Sequence, residues 1–283
     1  MPRVTYINGA YLDYADAKAP VEDRGYQFSD GVYEVIMARR GRLVDAAPHL
    51  ARLLRSLREL DIKQPCSLGA LSQIMRETLR RNRVREGLIY LQVTRGVAPR
   101  DHVFPADVRP TLVCMAKHRA WPEPGAEAKG VGALTVLDER WARCDIKSIS
   151  LLPNVLAKEK ARKAGAGEAI LVSSAGVVHE GGSSNVWIVD ADGALLTHPL
   201  GPRILGGVTR ATVKVLAEQA QIRVVEAPFT REQLLGAREA FVTSATSLVK
   251  PIVAVDGVAI GNGEVGPVSR RLFADYTAYT LAA

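Results

Sequence analysis

Short runs of apolar and β-branched residues recur along the chain, separated by stretches of helical periodicity, and this alternation restricts the fold to sheets covered by helices. Residues 4–7 and 32–38 read as strands, as do the continuous runs 88–94 (LIYLQVT) and 111–116 (TLVCMA). Between them, Leu50, Leu53, Leu54 and Leu57 fall at i, i+3, i+4 and i+7, which places them on one face of a helix. Leu71, Ile74, Met75 and Leu79 mark a second helix. Residues 119–130 (RAWPEPGAEAKG) hold two prolines and two glycines between apolar runs and form the best candidate linker. Beyond it, strand signals at 133–137, 169–172, 186–189, 223–225, 240–243 and 252–255 alternate with helical stretches near 153–164, 209–221 and 230–236. The last of these carries the capping-box pair Thr230 and Gln233, in which each side chain satisfies a backbone group of the other residue. The expectation is a mixed α/β chain of two domains, residues 1–120 and 121–283.

Composition excludes several classes. Apolar residues make up 47% and charged residues 24%, a profile with ample material for buried cores. No stretch approaches the roughly 18 uninterrupted apolar residues that a membrane helix needs. The first twenty residues lack an apolar core segment, so no secretory signal is expected. Cys66, Cys114 and Cys144 are odd in number and far apart, which argues against a disulfide framework or zinc knuckle and for a reducing cytoplasm. The net charge of +7 raises the question of nucleic acid. Its densest contribution, residues 76–85 (RETLRRNRVR), lies at the end of a helical stretch, where cations complement the helix dipole. That run contains no aromatic residue to stack on bases. A basic protein acting on small anions is the simpler account.

Several residues could carry chemistry. Lys147 sits between Ile146 and Ile149 just before a helical stretch, an apolar setting that favours a nucleophilic amine; a lysine snorkelling to water is the ordinary alternative. Glu180 opens EGGSSN, whose small residues permit close backbone approach, so its carboxylate could meet a buried cation; a plain turn with a surface acid fits equally. In ILGGVTRATVKVLAEQA, glycines precede Val208, Thr209 and a helix, and free N–H groups at such a start can cradle a phosphate. The run 242–247 (VTSATS) offers further N–H and hydroxyl donors, and Arg52 lies beside the apolar face of the first helix. Arg95, Arg100 and His102 occupy a Pro/Gly loop after a strand, where Arg100 and His102, two apart, can clamp a carboxylate. Taken singly, none decides.

Together they resemble the class IV aminotransferases, the fold-type IV pyridoxal-phosphate enzymes, and most of all the members acting on D-amino acids. The likeness rests on residues 22–35 (EDRGYQFSDGVYEV), 90–105 (YLQVTRGVAPRDHVFP), 140–148 (RWARCDIKS), 180–186 (EGGSSNV), 205–210 (LGGVTR) and 241–247 (FVTSATS), in family order over nearly the whole chain. The resemblance implies a smaller N-terminal α/β domain and a larger, β-barrel-like C-terminal domain with helices. It implies pyridoxal 5'-phosphate as cofactor, held by Lys147 as a Schiff base, by Glu180 at the ring nitrogen, with Ser183 beside it, and by Leu205 against the ring. Arg52, Val208, Thr209, Ser244 and Ala245 are implied at the phosphate. Tyr33, Arg100 and His102 are implied at the substrate carboxylate, the last two from a partner subunit, and hence a homodimer; cysteine usage and composition add the expectation of a cytoplasmic protein with no nucleic-acid or membrane partner.

Two departures stand out: Gly181-Gly182 leaves only Ser183 and Ser184 where the most similar kind of member has one glycine and three serines, and Ala245 replaces a threonine common among relatives. The implied activity is transamination between a D-amino acid such as D-alanine and a 2-oxo acid such as 2-oxoglutarate. A branched-chain L-amino acid aminotransferase and an aminodeoxychorismate lyase share the fold and remain alternatives; Arg100 with His102 is the pattern that favours the D-amino acid reading.

Overall fold

The computed structural model describes residues 3–122, 125 and 129–282. They divide into two compact units: one holds the chain up to Trp121 together with Ile146–Ser150, the other Pro122–Asp145 and Leu151–Ala282. The linker expected at 119–130 falls partly outside the described residues.

The first unit is built on β1 (Val4–Ile7), β2 (Ala10–Asp13), β3 (Gly31–Arg39), β4 (Arg42–Leu43), β5 (Gly87–Thr94) and β6 (Thr111–His118), with helices α1 (Arg24–Phe28), α2 (Ala46–Glu59) and α3 (Leu68–Arg81). The strands form one sheet in the order β2-β1-β6-β5-β3-β4, antiparallel at every step. Alternate residues of β5 are buried, and Ile89, Leu91 and Val93 share a core with the helix positions that the sequence spacing marks, Leu50, Leu53, Leu57, Leu71, Met75 and Leu79. Each fully buried side chain of this size contributes roughly 1.5–3 kcal/mol relative to exposure.

The second unit contains β7 (Val131–Leu137), α4 (Leu152–Lys163), β8 (Glu168–Val172), β9 (Val178–Gly181), β10 (Asn185–Val189), β11 (Leu195–Thr197), α5 (Val208–Gln219), β12 (Val224–Glu226), α6 (Arg231–Leu235), β13 (Glu239–Ser244), β14 (Leu248–Val255), β15 (Val258–Ala259) and α7 (Pro267–Ala282). Its nine-stranded sheet runs β12-β11-β10-β13-β14-β7-β8-β9, with β15 on β14. The β7–α4–β8 passage is a parallel crossover, which needs a helix to return the chain to the same edge direction. Every residue of β8 and β10 is buried, the pattern of strands covered on both faces, and it explains why these segments read as unbroken apolar runs. Trp187 of β10 stacks on Phe241 of β13 with ring centroids 5.8 Å apart.

The expected mixed α/β class stands, and α6 carries the full capping box of Thr230 and Gln233. Among the differences from the reading of the sequence, two bear on the site. Helix α7 has no counterpart there, because its buried positions Ser269, Leu272, Phe273, Tyr276 and Thr280 mix polar with apolar residues and blur the apolar stripe. Glu180 lies within β9, not in the turn that follows it.

Gly96 offers a test of the backbone at the start of the 95–110 loop. Its φ is +111°, and an added Cβ would overlap the carbonyl of Arg109. Gly9 has a similar φ of +102° but open space around it. Gly9→Ala is expected to lower stability by about 1 kcal/mol and Gly96→Ala by distinctly more, about 3 kcal/mol, in urea unfolding. Equal losses would show that crowding at Arg109 is not felt.

Candidate active site

In the first unit the site is assembled on the N-terminal end of β3. Strand β4 covers only Ala38 and Arg39, so the opposite end of β3 keeps a free edge. The segment Ile146–Ser150 fills it: Tyr33 N–H donates to the Lys147 carbonyl at 3.0 Å, and Ile149 N–H donates to the Gly31 carbonyl at 3.0 Å. The Lys147 N–H donates to Ser56 Oγ at 3.3 Å, and Ile146 is buried in the core. Gly31 is required here, since a Cβ would stand 2.8 Å from the Val93 carbonyl oxygen. The Lys147 backbone is therefore fixed on both sides, and its Nζ lies 4.4 Å from the centroid of the Tyr33 ring. Tyr33 in turn stacks on Tyr90, whose hydroxyl donates to Gln92 Oε1 at 2.6 Å. Burial, reinforced by the neighbouring Tyr33, pushes the Tyr90 phenol up to about 12, so it stays protonated at neutral pH.

The residue after Tyr33 points to the other face of β3. Glu34 is completely buried and accepts a two-pronged contact from Arg52, Nε at 2.8 Å and Nη2 at 2.6 Å, while His49 Nδ1 lies 2.7 Å away. His49, Arg52 and Ser56 are spaced i, i+3 and i+7 along α2, so one face of that helix serves both Glu34 and the Lys147 backbone. Burial alone would raise the Glu34 carboxyl, but the charge and hydrogen bonds of Arg52, with the bond from His49, hold it at about 2. Arg52 is thus oriented by a buried acid. Neither Glu34, His49 nor Ser56 stands out in the sequence, because a lone polar residue in an apolar strand or helix has no periodic signature.

Arg100 and His102 are brought together around one ring. The Arg100 guanidinium lies 5.1 Å from the centroid of Phe28, and the His102 ring 5.4 Å from it.

In the second unit Glu180 is the hub. Its Oε1 accepts from Arg140 Nη1, and its Oε2 accepts from the Leu205 N–H at 3.0 Å and from Asn185 Nδ2 at 3.2 Å. Arg140 also forks onto Asp138, with Nε and Nη2 each at 2.8 Å, and His179 Nδ1 lies 2.7 Å from the same acid. Burial opposes charge on both Arg140 and Asp138. For Asp138 it is outweighed by the hydrogen bonds from Arg140 and His179, which hold the carboxyl far below its ordinary range. For Arg140 the bond to Asp138 and the charge of Glu180 raise the guanidinium further. Glu180 therefore faces a permanent cation and two N–H donors, an environment that favours the carboxylate form.

Asn185 ties this acid to the glycine-rich segment. Its Nδ2 also donates to the Leu205 carbonyl at 2.9 Å, and a Cβ on Gly207 would overlap its Oδ1. Gly207 caps α5 without any side-chain hydrogen bond, and the first turn brings the N–H groups of Val208 and Thr209, which lack intrahelical acceptors. Thr209 is buried, with its hydroxyl 3.4 Å from that of Tyr276 on α7. Helix α5 packs on β13, whose end carries Ser244, and Ala245 begins the turn into β14. Ser244 Oγ accepts from the Ser247 N–H at 3.1 Å. Ser183 is exposed and its hydroxyl accepts from Lys158 Nζ at 3.0 Å, so it is Asn185, two residues on, that reaches Glu180. The Gly182 departure has a local reason, since a Cβ there would lie 2.6 Å from Lys158 Cγ.

Each unit thus presents a buried, hydrogen-bonded acid beside a fixed basic group, the second unit also a helix start open to an anion. The pattern that describes the class IV amino-transferases matches residues 31–255. The chain belongs to the class IV aminotransferases. It is therefore an enzyme. It is 44% identical over 275 residues to a D-alanine aminotransferase of Staphylococcus haemolyticus, covering 97% of this chain and 96% of that one. A D-alanine aminotransferase of Bacillus licheniformis is 42% identical over 266 residues, 94% and 93% of the two chains. Among solved structures, a T.th. branched-chain amino acid aminotransferase with pyridoxamine 5'-phosphate superposes with a TM-score of 0.91 at 27% identity, over 100% of this chain and 96% of that one. No helix among the described residues of this class IV aminotransferase is long and apolar enough to cross a membrane.

The Glu34 carboxylate gives the site a measurable acid limb. Its folded value of about 2 lies below the ordinary 4.5, so its stabilisation is complete above pH 4.5 and is lost as pH falls towards 2. The wild-type melting temperature is expected to drop through that window. Glu34→Gln, which removes the buried negative charge facing Arg52 and His49, is expected to cost about 3–5 kcal/mol at pH 7 and to flatten the drop. An equally steep acid limb in the variant would assign it to other groups.

Proposed function

We propose that the enzyme transfers an amino group between a D-amino acid such as D-alanine and a 2-oxo acid such as 2-oxoglutarate, with pyridoxal 5'-phosphate as cofactor. The observation that carries this reading is the 44% identity, over 97% of the chain, to a D-alanine aminotransferase. The donor set fits the cofactor: a primary amine on a fixed backbone for the aldehyde, an ionised buried carboxylate for a protonated ring nitrogen, and an uncapped helix start for a phosphate. Bound there, the cofactor supplies an aldehyde for the amino group and an electron-poor ring that accepts the electrons of the substrate α-carbon.

Lys147 is assigned the reactive amine; its Nζ takes the α-proton from the substrate and delivers it in the return direction. Glu180, kept anionic by Arg140, would hold the proton on the ring nitrogen, with Ser183 and Asn185 following it in the same segment. The N–H groups of Val208 and Thr209 would hold the cofactor phosphate, with Arg52, Ser244 and Ala245 assigned to the same group and Leu205 assigned to the ring. At position 245 alanine offers only its N–H, one hydroxyl fewer than threonine would. Tyr33, Arg100 and His102 bind the substrate carboxylate, Arg100 and His102 doing so in the site of a partner subunit of a cytoplasmic homodimer. Proton transfer by such a positioned amine contributes on the order of 10²–10⁴-fold to the rate.

Two measurements test the reading. The purified enzyme is expected to turn over D-alanine with 2-oxoglutarate and to leave L-leucine nearly untouched; the reverse preference would favour a branched-chain enzyme. Lys147→Ala is expected to remain folded, with circular dichroism unchanged, and to lose at least ~10²-fold in kcat. Near-normal turnover in that variant would remove Lys147 from the chemistry.

A further inference from the structure

The stretch 99–104 is exposed except where two buried arginines reach it from beneath. Arg24, at the start of α1, is 3% exposed. Its Nε donates to Asp30 Oδ2 at 2.9 Å, and its Nη1 donates to the Asp101 carbonyl at 2.5 Å. Longer contacts of 3.5 Å run from Nη1 to the Val103 carbonyl and from Nη2 to the His102 carbonyl. The same guanidinium lies 4.7 Å from the Phe28 centroid, the ring on which Arg100 and His102 converge. Asp30 is shared: Arg95 donates to it through Nε at 2.7 Å and Nη2 at 3.0 Å, while also holding the carbonyls of Leu60 and Asp61 and lying 3.5 Å from the Phe104 ring.

We propose that Arg24 is a positioning residue for substrate carboxylate recognition. It makes no contact with substrate itself; it clamps three consecutive carbonyls, 101–103, so that Arg100 and His102 are presented at fixed spacing. The proposal rests on the reading of Arg100 and His102 as the carboxylate-binding pair. An arginine suits the task because its planar fork can address Asp30 and several carbonyls at once, whereas a lysine ammonium reaches one or two. Without these contacts the loop would have fewer fixed partners within its own chain, and any ordering left to substrate binding would be drawn from substrate affinity. Asp30 keeps both bonds from Arg95 when Arg24 is replaced, so the fold does not depend on Arg24 alone.

The test compares Arg24→Gln and Arg24→Lys with the wild-type holoenzyme, reading KM and kcat separately for amino donor and 2-oxo acid, the visible absorbance of bound cofactor, and the melting temperature. Expected for Arg24→Gln is a rise in KM of about tenfold or more for both substrates, since both carry the carboxylate, with kcat within about threefold and cofactor absorbance retained. Arg24→Lys is expected to fall between Arg24→Gln and wild type, and it keeps the charge beside Asp30 should the glutamine variant fail to fold. Unchanged KM values, or a joint loss of kcat, cofactor and stability without a selective KM effect, would overturn the proposal. Both D-alanine and L-leucine are used as donors. A wild-type preference for L-leucine would refute the D-amino acid reading alone; unchanged KM on whichever donor turns over would refute the role of Arg24 alone.

Discussion

The free edge at the beginning of β3 is the constraint from which the chemistry of the first unit follows. Buried backbone N–H and C=O groups must find partners, and β4 is too short to supply them to Gly31–Tyr33. A segment distant in sequence, Ile146–Ser150, supplies them instead, and Ile146 adds its side chain to the core. Ile146 and Ser148 are buried on either side, and Ser148 N–H turns back onto the Ile146 carbonyl at 2.8 Å, which leaves Lys147 at the apex of a tight turn and directed towards Tyr33, in an alternation of buried and half-buried side chains. The amine is thereby set by backbone hydrogen bonds and one apolar anchor, and the flexibility of the lysine stem begins only beyond Cα. The same alternation on β3 sends Tyr33 and Glu34 to opposite faces, which separates the ring beside the amine from the acid that grips Arg52.

Much of this fold is legible in the sequence, and the legible part has a common cause. Helices α2 and α3 and strands β5, β8, β10 and β13 are recognisable because their core contacts are made by apolar residues at regular spacing. Helix α7 is not, because hydroxyl-bearing Ser269 and Thr280 occupy positions that face inward: Ser269 bonds the buried Glu239, and Thr280 bonds back to the Thr277 carbonyl. Its burial is as real as that of α2, but the residues that achieve it do not count as apolar. The short strands β4, β11 and β15 have too few residues to show any period.

The candidate site divides along the same line. Lys147, Glu180 and the Leu205–Thr209 run are visible as candidates, an amine in an apolar setting, an acid among small residues and a glycine-led helix start, and their order along the chain is what singles them out. What surrounds them cannot: Asp138, Arg140, Asn185, His49 and Glu34 become partners only through tertiary placement. Asn185 is instructive, because it follows the two serines that draw the eye. Ser183 points to Lys158 and Ser184 to Glu168, while the asparagine, with one carbonyl and two N–H donors, spans Glu180 and the Leu205 carbonyl. The small residues of the motif matter for the room they leave, Gly182 for the Lys158 stem and Gly207 for the Asn185 amide.

Both units bury charge, and the cost of that burial explains the form the clusters take. An isolated carboxylate in a protein interior would take up a proton rather than stay ionised. Glu34 and Glu180 avoid this because each faces an arginine, which cannot give up its proton at any relevant pH. Such pairs add little net stability against an apolar core of the same volume, so their presence calls for a reason other than folding. The reason lies in what an arginine-locked acid can do that a solvated one cannot: it keeps its charge and its direction while a ligand enters and leaves beside it. In Glu180 that property suits the proposed role of holding a proton on a neighbouring nitrogen, and in Glu34 it gives Arg52 a set orientation. Asp138 extends the principle by one step, since it neutralises Arg140 while leaving one arm of the guanidinium for Glu180. An acid–arginine–acid chain of this kind carries one more negative charge than positive, and that surplus on the terminal carboxylate gives the site its electrostatic character.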